Sequence, residues 1–103
     1  MGPGQGRTGG KAGLVYRIEV ERRVQKTLAR LPRQDRARIE AAIDALAHDP
    51  RPSGCVSVKA AGPATYRVRV GDYRVIYIVL DDEQVIIVAR VARRREDTYR
   101  ALR

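Results

Sequence analysis

Tryptophan and phenylalanine are absent from this 103-residue chain, and Cys55, His48 and Met1 are each the single residue of their kind. One cysteine forms no internal disulfide, and one thiol with one imidazole cannot assemble a metal site or a Cys/His nucleophile pair with the usual ligand counts. No cofactor is implied, and no metal. Acids are scarce too: 12 Asp and Glu face 21 Lys and Arg, a formal net charge of +9. That excess calls for an anionic partner. Long apolar runs are missing, since the longest, Val75 to Leu80 and Val85 to Ala89, fall far short of the roughly 20 residues a membrane span needs. The first residues carry scattered charge and no apolar h-region, which is not the pattern of a secretory signal, so a cytoplasmic protein is expected. Gly2, Gly4 and Gly6 follow no strand and precede no lysine-serine pair, so they do not read as a phosphate loop. Ser53 and Ser57 lack a base, and Asp81 and Asp82 sit in a predicted turn as solvated turn formers rather than as an acid/base pair.

What is present suffices for one core. At 44% hydrophobic and 32% charged residues the chain is too apolar to be disordered throughout and too short for a second domain. Six of the nine glycines fall within residues 1 to 13, which predicts a flexible tail followed by a single domain over 14 to 103. Alternation over Leu14 to Val20 predicts a strand with Tyr16, Ile18 and Val20 on one face. Val20, Val24, Leu28 and Leu31 then recur at helical steps until Pro32. Beyond it Ile39, Ile43 and Leu46, among alanines, predict a second helix closed by Pro50 and Pro52, so the two helices form an antiparallel hairpin. Val56 with Val58, Tyr66 to Val70, Tyr73 to Leu80 and Gln84 to Val91 read as strands, with turns at Gly71-Asp72 and Asp81-Asp82-Glu83. A short C-terminal helix over Arg93 to Leu102 completes the chain. The fold class is therefore α+β: an N-terminal strand, a helical hairpin covering one face, then an antiparallel sheet of three to four strands, because the short connections leave no room for parallel crossovers.

The uncovered face is where function is expected. In Tyr66-Arg67-Val68-Arg69-Val70 the arginines share one face and the valines the other. Arg67, Arg69, Arg74, Arg90, Arg93, Arg94, Arg95, Arg100 and Arg103 crowd the C-terminal third, with Tyr66 and Tyr99 between them. Guanidinium forks grip phosphate oxygens, and tyrosine rings offer stacking platforms for exposed bases, so RNA is the partner this composition suggests. A solvated arginine-rich face pairing locally with Asp72, Asp81, Glu96 and Asp97 is the plainer alternative. His48 suits the negative end of the second helix, and Cys55 reads as a small buried or loop residue.

The stretch Tyr66-Arg67-Val68-Arg69-Val70-Gly71-Asp72-Tyr73-Arg74-Val75-Ile76-Tyr77, followed by Val91-Ala92-Arg93-Arg94-Arg95 and Tyr99-Arg100, resembles the RelE toxins of the bacterial RelE/ParE superfamily. The likeness runs over about residues 14 to 102. It implies the small RelE-like fold, a cognate antitoxin that neutralises the protein, and metal-independent cleavage of messenger RNA in the ribosomal A site. Carried over by position, the resemblance assigns Arg67 and Arg69 to proton transfer and transition-state stabilisation, where some members have lysine. It assigns Arg74 to holding phosphate, Arg94 to the leaving oxygen and Tyr99 to stacking on or orienting the substrate. Lys59, Arg93, Arg95 and Arg100 are implied to bind RNA. One departure matters: an arginine at position 67 stays protonated and is a poor general base, so it would orient the 2′-hydroxyl and stabilise charge on the phosphorane. Two other readings remain open, a ParE-like inhibitor of DNA gyrase without enzymatic activity and a plain nucleic-acid-binding module.

Overall fold

The computed structural model describes residues 15–93, and its element order follows the expected one with one addition. Strand β1 (Arg17–Val20) leads into helix α1 (Arg22–Arg30) and helix α2 (Arg33–Leu46). A two-residue strand β2 (Val56–Ser57), a 3-10 turn (Lys59–Ala61) and strands β3 (Thr65–Val70), β4 (Tyr73–Leu80) and β5 (Val85–Arg93) follow. The corner between the helices has a local cause. Leu31 precedes proline, which disfavours the helical region, and it takes an extended conformation at φ −79° and ψ 153°. Pro32 then starts α2, its carbonyl accepting from the Arg36 N–H at 2.9 Å.

The sheet has the order β1-β5-β4-β3-β2. Strands β2 to β5 form the expected antiparallel part, and β1 adds a fifth strand, parallel to β5, with Ile18 opposite Ile86 and Val20 opposite Val88. The parallel pair is possible because the two helices and the rest of the sheet lie between β1 and β5 in sequence, ample length for a crossover. The C-terminal helix expected over Arg93 to Leu102 and the tail over residues 1 to 13 fall outside the described residues.

Both helices cover one face. Val24, Leu28, Ile39, Ile43 and Leu46 pack on the alternate residues Tyr73, Val75, Tyr77 and Val79 of β4, with Ile86, Val88 and Val91 of β5. The intervening Arg74, Ile76, Ile78 and Leu80 point to the other face and stay half-exposed. One irregularity governs β5. Tyr77 faces Val88 while Ile76 faces Arg90, so Ala89 is the extra residue of a β-bulge. Without it, continued alternation after Ile86 and Val88 would carry Arg90 onto the buried face. With it, Val91 is buried and Arg90 is exposed.

Two turns close the hairpins. Gln84, expected to open β5, belongs to the turn instead: its N–H bonds the Asp81 carbonyl at 3.1 Å, and its φ is 55°. Gly71 opens the two-residue β3–β4 loop at φ 59°, as a type II′ turn requires. A Cβ there would also come within 3.0 Å of Arg38 Nη1. Gly71→Ala is therefore expected to cost about 1–2 kcal/mol in urea unfolding, set by the left-handed φ rather than by the flexible Arg38 tip.

Candidate functional site

Strand pairing assembles the site on the face that no described helix covers, called the open face below. Arg69 stands directly opposite Arg74, which is itself opposite Ala92. One rung further, Arg67 and Arg90 flank Ile76. Four guanidinium-bearing positions thus occupy two neighbouring rungs across three strands. Arg67 and Arg90 are separated by two strand spacings, roughly 10 Å, and Arg67 and Arg69 by roughly 7 Å along β3. Like charges directly opposite in an antiparallel pair destabilise it by several tenths of a kcal/mol. The Arg69–Arg74 pair thus sets two guanidinium groups side by side on this face. Among the described residues the ion pairs are Arg17–Glu19, Arg23–Glu21 and Arg51–Asp81, and none engages Arg67 or Arg69.

Arg90 was not among the site residues read from the sequence. The only trace of the bulge is the run Ile86-Ile87-Val88-Ala89, in which no polar residue marks the phase, so alternation alone does not place Arg90. Tyr66, expected as a stacking platform beside the arginines, is turned to the helix-covered face. It stacks on Tyr77 at 6.0 Å between centroids and packs against the core. Arg93 also lies on that face, 5.7 Å over the Tyr73 ring. Lys59 is exposed in the 3-10 turn after β2. Arg94, Arg95, Tyr99 and Arg100 lie outside the described residues.

On the helix side, at the end of the sheet marked by the β4–β5 turn, Asp81 ties three elements together. It accepts from Arg51 Nη2 and from the Tyr16 hydroxyl, both at 2.7 Å, while Arg51 Nε donates to the Tyr66 hydroxyl at 3.0 Å. Asp81 thus pairs with a loop arginine, not with the arginines of the open face. The Arg51 guanidinium and then the Tyr16 hydroxyl hold the Asp81 carboxyl below its usual range, and the same carboxylate raises Tyr16 and Arg51. A depressed native value means that the stabilisation is present above the unfolded carboxyl pKa of about 3.9 and is lost as pH falls through the native value. Asp81→Asn is accordingly expected to lower the thermal midpoint at pH 7, with the gap to the parent closing below about pH 4. Burial, with Asp35 accepting from the Tyr73 hydroxyl at 3.0 Å, raises Tyr73, and burial raises Tyr77. No group of three or more His, Cys, Asp or Glu among the described residues is placed to hold a metal ion, and no described helix is long and apolar enough to cross a membrane.

With this geometry established, comparison with known proteins is decisive. The family model for the ParE toxin of type II toxin-antitoxin systems matches residues 18–98. The chain belongs to the RelE/ParE toxin superfamily. A curated Methanocaldococcus jannaschii protein, RelE1, named as a candidate toxin, is 33% identical over 89 residues, which cover 84% of this chain and 98% of that protein. The archaeal RelE–RelB complex from Pyrococcus horikoshii matches with a TM-score of 0.70 and 31% identity, covering 78% of this chain and 96% of that one. The isolated Escherichia coli RelE toxin shares the fold at a TM-score of 0.67 and 18% identity, over 85% and 99% of the two chains. The protein is thus a RelE-type toxin, and its N-terminal strand, two helices and five-stranded, mostly antiparallel sheet match the fold of solved RelE toxins.

Proposed function

We propose that this RelE-type toxin cleaves messenger RNA in the ribosomal A site by attack of a ribose 2′-hydroxyl on the adjacent phosphate. The products would be a 2′,3′-cyclic phosphate or 3′-phosphate and a 5′-hydroxyl. The observation that carries the reading is the Arg69–Arg74 opposition, with Arg67 and Arg90 on the next rung of the same uncovered face. Such a cluster suits a phosphorane, whose negative charge grows as the bond forms, because donors fixed before reaction need no reorganisation. Arginine does not release its proton at accessible pH, so Arg67 and Arg69 act by orientation and charge stabilisation rather than as bases. Positioning of the message by the ribosome supplies the remaining advantage. Arg74 holds phosphate, Arg94 serves the leaving oxygen, Tyr99 orients the substrate, and Lys59, Arg95 and Arg100 contact RNA, whereas Arg93, over the Tyr73 ring on the helix-covered face, lies away from the open-face arginines. Action at the ribosome places the protein in the cytoplasm.

A cognate antitoxin is the second partner. A relative from Pyrococcus horikoshii was solved as a RelE–RelB complex and one from Mycobacterium tuberculosis as a toxin-antitoxin complex, and a toxin needs neutralisation in its own cell. A ParE-like action, inhibition of DNA gyrase without catalysis, is favoured by the matching family model. The two readings separate on purified protein. Cleavage of a message on programmed ribosomes, with gyrase supercoiling unaffected, supports the nuclease. Blocked supercoiling without cleavage supports the ParE-like action.

A further inference from the structure

The reaction gives tasks to Arg67, Arg69 and Arg74 but none to Arg90, the fourth arginine of the open face. Ile76 of β4 pairs with Arg67 on one side and with Arg90 on the other, so a half-exposed isoleucine separates the two. The bulge at Ala89 turns Arg90 outward while Val91 stays in the core. A bulge disrupts the ladder and leaves one residue unpaired, and bulges recur beside active sites, where they re-aim a side chain. Here the re-aimed group is an exposed guanidinium. Its distance from the other three also matters. Arg69 and Arg74 are direct partners on neighbouring strands, and Arg67 is two residues along β3 from Arg69, so these three surround one point over β3 and β4. Arg90 stands on β5, two strand spacings, roughly 10 Å, from Arg67. A phosphodiester has two non-bridging oxygens, and guanidinium forks take such oxygens in bidentate pairs, so three arginines already meet the acceptors of one phosphate.

We infer that Arg90 holds a second phosphate of the message, the one on the 3′ side of the cleaved bond. The inference rests on the nuclease reading for the positions of the reacting atoms. Arg67, on β3, is the residue assigned to the attacking 2′-hydroxyl, and Arg94, assigned to the leaving oxygen, follows the last residue of β5 in the chain. Attacking and leaving oxygens lie roughly in line through the phosphorus. The message therefore crosses the sheet from β3 towards β5, and its 3′ continuation runs on the β5 side. Arg90 is the β5 cation on that face, since Arg93 lies over the Tyr73 ring on the helix-covered one. Between Arg67 and Arg90 the message passes over Ile76, an apolar floor beside which a charge-assisted contact is stronger than in open water. A phosphate next to the reacting one keeps its charge throughout the reaction. Contact with it stabilises the bound state and the transition state alike, so Arg90 contributes affinity rather than chemical rate.

The test follows single-turnover cleavage on programmed ribosomes as a function of toxin concentration, with two messages. One is unmodified; in the other an uncharged methylphosphonate replaces the phosphate 3′ to the cleaved bond. On the first, Arg90→Gln should raise the half-saturating concentration roughly 10-fold and keep the maximal rate near the parent's, the pattern for a contact made equally before and during reaction. On the second, parent and Arg90→Gln should be equally weak, because each complex lacks one side of the same contact. Arg90→Lys restores the charge and should recover most of the loss on the first message. Circular dichroism confirms that each variant is folded, and the parent with the methylphosphonate message needs no substitution at all. A parent indifferent to the methylphosphonate overturns the inference. So does equal weakening of Arg90→Gln on both messages, or a fall in maximal rate at unchanged half-saturation, which would put Arg90 on the reacting phosphate. Binding of fluorescently labelled toxin to ribosomes carrying the same two messages in non-cleavable 2′-deoxy form is scored in parallel. A parent that never cleaves but binds with the phosphate-dependent Arg90 effect refutes the nuclease reading and leaves the contact standing. Cleavage with an Arg90 effect indifferent to that phosphate does the reverse.

Discussion

Arg69→Gln is expected to cut ribosome-dependent cleavage by roughly 10²- to 10³-fold, the usual loss when one donor to a developing oxyanion is removed. The same substitution is expected to raise the thermal midpoint by a few degrees at most. Arg69 faces Arg74 across the β3–β4 pair, and removal of one of two opposed cations relieves a repulsion of about 0.2–1 kcal/mol. The two effects together are diagnostic. A structural arginine would lose stability on substitution, and a solvated surface arginine would leave activity alone. Single-turnover cleavage and a melting curve on one preparation read both, and unchanged cleavage would remove Arg69 from the site.

The second large effect lies on the other side of the sheet. Tyr77 is fully buried, its ring stacks on Tyr66, and its hydroxyl donates to the Pro50 carbonyl at 2.8 Å. Tyr77→Ala removes a whole aromatic ring from the centre of the core and should cost about 3–5 kcal/mol, a large share of the about 5–15 kcal/mol by which such domains are stable. Tyr77→Phe keeps the ring and leaves only the Pro50 carbonyl without its donor, a loss of about 1–3 kcal/mol. Urea unfolding separates the two variants. Because Tyr77 faces away from the open-face arginines, folded Tyr77→Phe should cleave at the parental rate, and a fall comparable to that of Arg69→Gln would mean that the two faces are not independent.

Which features were legible in the sequence follows from the range of the interactions that set them. Helix α2 is local: Ile39, Ile43 and Leu46 mark its buried stripe, and Pro32 and Pro50 bound it. The facing of Arg67 and Arg69 is also local, since strand alternation puts them opposite Val68 and Val70, which pack against the core. The same alternation places Tyr66 with those valines, so its distance from the arginines was already implied by parity. Pairing of β1 with β5 was not legible, because it joins residues nearly seventy positions apart in the register Arg17 to Val85 and nothing within either strand names its neighbour. The bulge at Ala89 was hidden for a related reason: inserting one residue into an apolar run leaves no mark in composition, yet it decides whether Arg90 meets the core or the site. Arg51 illustrates a third limit. Its partners Asp81 and Tyr66 come from other elements, so a loop arginine between two prolines gave no sign of an anchoring role.

The central claim is that the open-face arginines serve a reaction driven by the ribose 2′-hydroxyl of a ribosome-bound message. It is tested most directly by one comparison: programmed ribosomes carrying either an all-ribose message or the same message with a single 2′-deoxy nucleotide on the 5′ side of the cleaved bond. The account predicts cleavage of the first, with a 5′-hydroxyl on the downstream fragment, and an intact second message. Equal cleavage of both, or no cleavage of the all-ribose message by active, folded protein, would contradict it.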